Sequence, residues 1–100
     1  MAQKAVQITR SGNVVSFTPS PQSITSLDNL FWANNDEQQE HWPAPSAAQK
    51  TAWMPAAIPA KLPGQPAPTS RGMTFDAGSY TVNYVCALHP TETGIIKVTS

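Results

Sequence analysis

Tyr84-Val-Cys-Ala-Leu-His-Pro-Thr-Glu-Thr-Gly94 is the stretch on which the reading of this chain turns. The run that enters it, Ser79 to Ala87, alternates, with Tyr80, Val82, Tyr84 and Cys86 on one side and Thr81, Asn83 and Val85 between them. That period of two predicts a strand whose apolar face ends in a thiol. Cys86, the only cysteine, is followed three residues later by His89 and three beyond that by Glu92, and Gly94 leads into a final strand over Ile95 to Thr99. A soft thiolate, an imidazole and a carboxylate on one short loop are the donor types that converge on a single transition-metal ion. His41 is the only other histidine and supplies the second imidazole that such a set needs.

Outward from this stretch, both ends of the chain read as strands. Val6 and Ile8 alternate with polar neighbours, as do Val15 and Phe17 after Ser11-Gly12-Asn13, so residues 4 to 18 predict a hairpin that Pro19 and Pro21 end. Residues 27 to 34 predict a further strand, with Leu30 and Trp32 on one face, Phe31 on the other and Asn34-Asn35-Asp36 as a closing polar turn. Met73 to Phe75 predicts another, separated from Ser79 to Ala87 by the turn Asp76-Ala-Gly78. Pro43 to Pro68 holds seven of the ten prolines. Proline donates no ladder hydrogen bond, so this segment is not a core strand. Within it Ser46-Ala-Ala-Gln49 has capping-box form, and Ala47 to Met54 predicts two helical turns before Pro55. The rest reads as an ordered surface loop, because neither side is large enough to be a domain by itself. The expectation is all-β: one domain over 1–100, a two-sheet antiparallel Greek-key β-sandwich with a proline-rich excursion carrying a short helix.

Composition narrows the function classes. Six basic residues balance six acidic ones, and charged residues make up only 12% of the chain, with no basic cluster to bind nucleic acid or an anionic membrane surface. No apolar run approaches the roughly 20 residues of a membrane span, and no secretory leader is visible. A single cysteine forbids an internal disulfide. Neither a phosphate-binding glycine loop nor a recognisable pairing of serine with histidine is present, which removes hydrolase readings.

The run Cys86-Ala-Leu-His89-Pro90-Thr-Glu92-Thr-Gly94 resembles the C-terminal ligand loop of the cupredoxins, the small blue copper proteins of the plastocyanin and amicyanin group. It follows the shorter, amicyanin-like spacing Cys-x-x-His-Pro-x-Met-x-Gly without a gap, with glutamate where the methionine stands. Phe31-Trp-Ala-Asn34-Asn-Asp36 followed by His41 is similar to the family's strand, polar turn and first histidine ligand. The resemblance implies one mononuclear copper ion cycling between Cu(II) and Cu(I), held by His41, Cys86 and His89. It further implies a one-electron carrier rather than an enzyme, a redox partner protein, and a periplasmic or other extracytoplasmic location.

Two departures matter. A carboxylate is hard and anionic, so Glu92 as fourth ligand would favour the divalent ion, lower the reduction potential and shift the colour away from pure blue. The resulting ligand set is similar to that of the red copper protein nitrosocyanin. The alternative is Glu92 in solvent, leaving an open or water-occupied copper site, as in a copper enzyme or a sensor of nitric oxide or another small molecule. Trp42 also stands where the family has a small polar residue that ties the ligand loops together, and a shield over the site is the role left to it. Zinc remains a rival for two histidines, a cysteine and a carboxylate, and a metal-free sandwich with Cys86 as an ordinary core residue is the plainest alternative.

Overall fold

The computed structural model describes residues 3–46 and 57–99. It contains seven strands: β1 (Gln3–Ser11), β2 (Val14–Thr18), β3 (Gln22–Thr25), β4 (Asn29–Asn34), β5 (Pro43–Pro45), β6 (Tyr80–Cys86) and β7 (His89–Thr99). They form two sheets, one ordered β2-β1-β4 and the other β3-β7-β6-β5. The β1–β2 hairpin forms where alternation predicts it, and Gly12 takes the left-handed conformation (φ 62°) that its turn requires.

Alternation along the strands builds the core between the sheets. Val6 and Ile8 of β1, Phe17 of β2 and Leu30 and Trp32 of β4 face Ile24 of β3, Val82, Tyr84 and Cys86 of β6 and Ile96 and Val98 of β7. Tyr84 is the central contact. Its ring meets Phe17 edge-on at 5.0 Å and Trp32 edge-on at 5.2 Å, so one side chain of the second sheet holds two aromatics of the first. Each such pair contributes about 0.5–1.5 kcal/mol beyond the burial of its area. Gly94 lies directly opposite Tyr84 in the β6–β7 register, and a Cβ there would run into the phenol ring. This is why a glycine starts the inner half of β7.

The structure corrects several expectations. The sheets are mixed: β1 pairs with β4 in parallel, as β3 does with β7, while β1–β2, β5–β6 and β6–β7 are antiparallel. Alternation reports which face is buried and carries no information on strand direction. Strand β3 lies just beyond Pro21 and went unread, because only Ile24 of its four residues is apolar and buried. Met73 to Phe75 is no strand; Met73 exchanges one pair of backbone bonds with Leu30, both 2.8 Å, and Phe75 enters the core from a loop. The proline-rich segment contributes β5, which sits at the edge of its sheet, where proline is tolerated. The helix expected over Ala47 to Met54 lies outside the described residues, and those residues contain no helix.

Two outcomes test this core. Gly94→Ala is expected to destabilise the fold by about 1–3 kcal/mol, measured by chemical denaturation. Burial pushes the Tyr84 phenol up to about 12, the Trp32 indole opposing slightly. A raised folded value means stability is intact below the ordinary tyrosine pKa of about 10 and is lost as pH rises from there toward 12. Tyr84→Phe should remove that alkaline slope from the denaturation midpoint, while a slope unchanged in the variant would assign it to another group.

Candidate metal centre

Two pairings of β6 assemble the site. In the antiparallel register with β5, Pro43 lies opposite Cys86, which sets the two residues before β5, His41 and Trp42, beside the end of β6. The Ala87 amide donates to the Trp42 carbonyl at 2.8 Å, and the Trp42 amide points at Cys86 Sγ at 3.5 Å. Trp42 thus meets the sulfur through its backbone, the contact here that any residue type could make.

On the other side, β6 turns into β7 through Ala87 and Leu88, and Cys86 pairs with His89. Between this pair and the next, Val85 with Thr93, the ladder slips: Pro90, Thr91 and Glu92 are extra residues on β7. A bulge of this kind re-aims side chains next to a functional site. Here it folds Glu92 back toward the histidines, and the strand starts at His89, earlier than the expected Ile95.

All four residues singled out in the sequence come together. One donor atom each of His41, Cys86, His89 and Glu92 lies within 4.8 Å of all the others. Cys86 Sγ is 3.7 Å from His41 Nδ1 and 3.6 Å from His89 Nδ1, and Glu92 Oε1 is 3.2 Å from His41 Nδ1 and 3.4 Å from His89 Nδ1. Bonds of 2.0–2.3 Å to a tetrahedral centre separate the donors by about 3.3–3.8 Å. The measured spacings fall in or next to that range. His41 and Cys86 are fully buried; Glu92 is 14% exposed at its side chain and His89 31%.

The fit to a cation also follows from what the donors lack. Glu92 Oε1 is buried without a hydrogen-bond partner among the described residues. His41 Nε2 lies 2.8 Å from Asp36 Oδ2, and an ionised carboxylate only accepts, so a neutral imidazole carries its proton at Nε2 and turns a bare lone pair at Nδ1 toward the sulfur and Glu92. Lone pairs facing each other in a buried space repel unless a proton or a metal cation sits between them, and a metal cation is the partner that all four atoms can share at once.

Sequence reasoning missed the support behind His41. Asp36 is fully buried and paired with Arg10, whose Nε and Nη2 each donate to it at 2.8 Å. Burial alone pushes the Asp36 carboxyl up. The hydrogen bonds it accepts from Arg10, the Gln38 amide and His41, together with the Arg10 charge, overcome this and hold it well below the usual carboxylate range. Asp36, read as the end of a polar turn, is therefore a buried carboxylate, whereas its neighbours Glu37 and Glu40 are exposed. Asn34, read as part of a polar turn, is a buried clamp. Its amide donates to the carbonyls of Gln39, Ile58 and Pro59 at 3.0–3.2 Å, and its carbonyl accepts from the Asp36 amide at 2.9 Å. Ile58, buried in the core, exchanges backbone bonds with His41 at 2.9 and 3.1 Å, so the proline-rich segment seals one side of the histidine. Asp36 is only five residues from His41, but nothing in the local sequence marks the partners that hold the pair, Arg10 being 26 residues from Asp36 and Ile58 17 from His41.

No family model matches this chain, and no curated protein matches it in sequence. Solved structures match it in shape. The reduced Cu(I) form at pH 4 of a proline-to-glycine mutant of amicyanin superposes with a TM-score of 0.72 at 17% identity, over 96% of this chain and 81% of that one. The oxidised state of a proline-to-alanine mutant of amicyanin gives 0.71 with the same identity and coverage, as does a Cu(I) structure of a methionine-to-glutamine mutant. The chain has the cupredoxin fold. At this identity the likeness is one of fold, and the cupredoxin cluster of His41, Cys86, His89 and Glu92 is read from this chain's own geometry, with glutamate in place of methionine.

In the metal-free protein, nitrogen NMR at neutral pH is expected to find the His41 proton on Nε2. An unprotonated Nε2 would contradict the role assigned to Asp36.

Proposed function

We propose that this cupredoxin-fold protein holds one copper ion through His41, Cys86, His89 and Glu92 and serves as a one-electron carrier rather than an enzyme. The observation that carries the proposal is the convergence of four candidate donor atoms within 4.8 Å of one another, one of them a buried carboxylate oxygen with no hydrogen-bond partner among the described residues. The similarity to amicyanin structures described as Cu(I) forms supports copper as the metal. Copper, when bound, supplies a reversible one-electron couple, and a thiolate, imidazole and carboxylate set tolerates both oxidation states.

The chain's own residues divide the remaining work. His41 and Cys86, buried between the sheets' ends, exclude water and keep the donors in place whichever state is present. His89 has the most exposed side chain of the four and sits beside Leu88, which is 46% exposed. An apolar patch around an exposed ligand edge is where a redox partner protein would dock. Glu92 brings a hard negative charge where a neutral thioether would leave the site softer, so it favours the divalent state and lowers the potential. The approach of Glu92 Oε1 to both histidines argues against an open or water-occupied position, and with it against the enzyme or small-molecule sensor reading. An oxidising, extracytoplasmic compartment suits a thiolate-containing site that is exposed at its His89 edge.

Copper-loaded protein is expected to show a sulfur-to-copper charge-transfer band and a reversible couple, both lost in Cys86→Ser. Glu92→Met should raise the potential and move the electron paramagnetic resonance spectrum toward that of a blue site, and azide should leave the parent spectrum unchanged. No band after Cu(II) loading, or protein that keeps only zinc, would sink the electron-carrier reading. A Glu92→Met spectrum identical to the parent would return Glu92 to solvent, and a response to azide or nitric oxide would favour the open-site alternative.

A further inference from the structure

Arg10 lies outside the donor cluster, yet it is engaged with the carboxylate that holds His41. Its Nε donates to Asp36 Oδ1 and its Nη2 to Asp36 Oδ2, while that same Oδ2 faces His41 Nε2, all at 2.8 Å. Nη2 also donates to Gln39 Oε1 at 2.9 Å, and Asp36 Oδ1 accepts the Gln38 amide at 2.8 Å. A bidentate guanidinium fixes the plane of a carboxylate, which a lysine ammonium would not do. The carboxylate plane in turn sets the direction of the His41 ring. The field of Arg10 extends beyond this contact. Its hydrogen bond to Asp36 and then the charges of Asp36 and Glu92 raise its pKa against the opposing pull of burial, so Arg10 and the donor Glu92 act on each other.

Charge counting gives these contacts a purpose. A thiolate and the Glu92 carboxylate together neutralise a divalent ion and leave one net negative charge on a monovalent one. Asp36, ionised and buried behind His41, adds a further negative charge to either state. Uncompensated, that charge would penalise the reduced site, since excess negative charge in a low-dielectric interior favours the more positive ion. Among the described residues, the arginine or lysine paired with Asp36 at bonding distance is Arg10.

Resting on the copper reading above, we propose that Arg10 is the charge-balancing residue of the metal centre, its charge offsetting that of the buried Asp36 behind His41 and raising the reduction potential of the site.

A double-mutant cycle read as reduction potential tests this. Arg10→Met is expected to strengthen Cu(II) binding relative to Cu(I) about tenfold, a fall in potential of about 59 mV for one electron. Asp36→Asn should shift the preference by a similar factor the other way, and the double variant should return to within about threefold of the parent. Arg10→Lys, keeping the charge without the fork, should recover most of the shift, a rescue that a merely structural role would not give. Arg71→Met removes an equal charge at an exposed position outside this chain of contacts and should leave the potential where it was. If Arg10→Met moves the potential no more than Arg71→Met while the sulfur-to-copper band persists, the proposal is wrong. Should Arg10→Met not fold, equal potentials for Asp36→Asn and the double variant overturn it by the same logic. A parent protein with neither band nor couple is a separate result, which removes the copper reading itself and the proposal with it.

Discussion

The pairing of β6 with a neighbour on each side is the constraint from which both the core and the donor cluster follow. Its inward face carries Val82 and Tyr84 into the space between the sheets and ends at Cys86, so the last core residue is also the first donor. The β5 edge brings His41 to the sulfur from one side, and the turn and bulge into β7 bring His89 and Glu92 from the other. A slip of one residue in either ladder would rotate Cys86 out of the core and separate the donors together. Folding and site assembly are for this reason one event, with Tyr84 wedged against Phe17, Trp32 and Gly94 to hold the register.

Electrostatics at this end of the sandwich are arranged in layers. Closest in, a thiol, two imidazoles and a carboxylate face one another at 3.2–3.7 Å, contacts that a shared proton or a metal cation would satisfy. Behind them, Asp36 is wholly removed from water and takes bonds from Arg10, Gln38 and His41. Leaving such a carboxylate unpaired in the interior would be costly; a bidentate arginine and an amide offset its desolvation. Farther out, Asn34 gathers carbonyls from three residues and locks the segment after β4 to the proline-rich segment. Rigidity in these outer layers keeps the donors at fixed spacing, the property that a change of one electron on a bound ion would exploit.

Trp42 illustrates how a departure from an expected residue can be absorbed. A small polar side chain after the first histidine was the expected tie between the ligand segments. In its absence the tie is made by backbone: the Trp42 carbonyl accepts from Ala87 and its amide faces Cys86 Sγ. Side-chain identity at this position is thereby released, because the β5–β6 ladder performs the fastening.

Much of this protein was determined by local sequence. Alternation in β1, β2, β4 and β6 identified strands and their buried faces, since a side-chain period of two is a property of the strand itself. The four residues that cluster were legible because the spacing Cys86, His89, Glu92 lies within one turn and bulge, and because only one other histidine exists. What only the tertiary structure decided is everything that depends on segments distant in sequence: the parallel pairings of β1 with β4 and β3 with β7, the edge position of β5, and the burial of Asp36 against Arg10. Strand direction leaves no periodic trace in a sequence. A charged residue reads as surface until its partner, here 26 positions away, is brought within bonding distance by the fold.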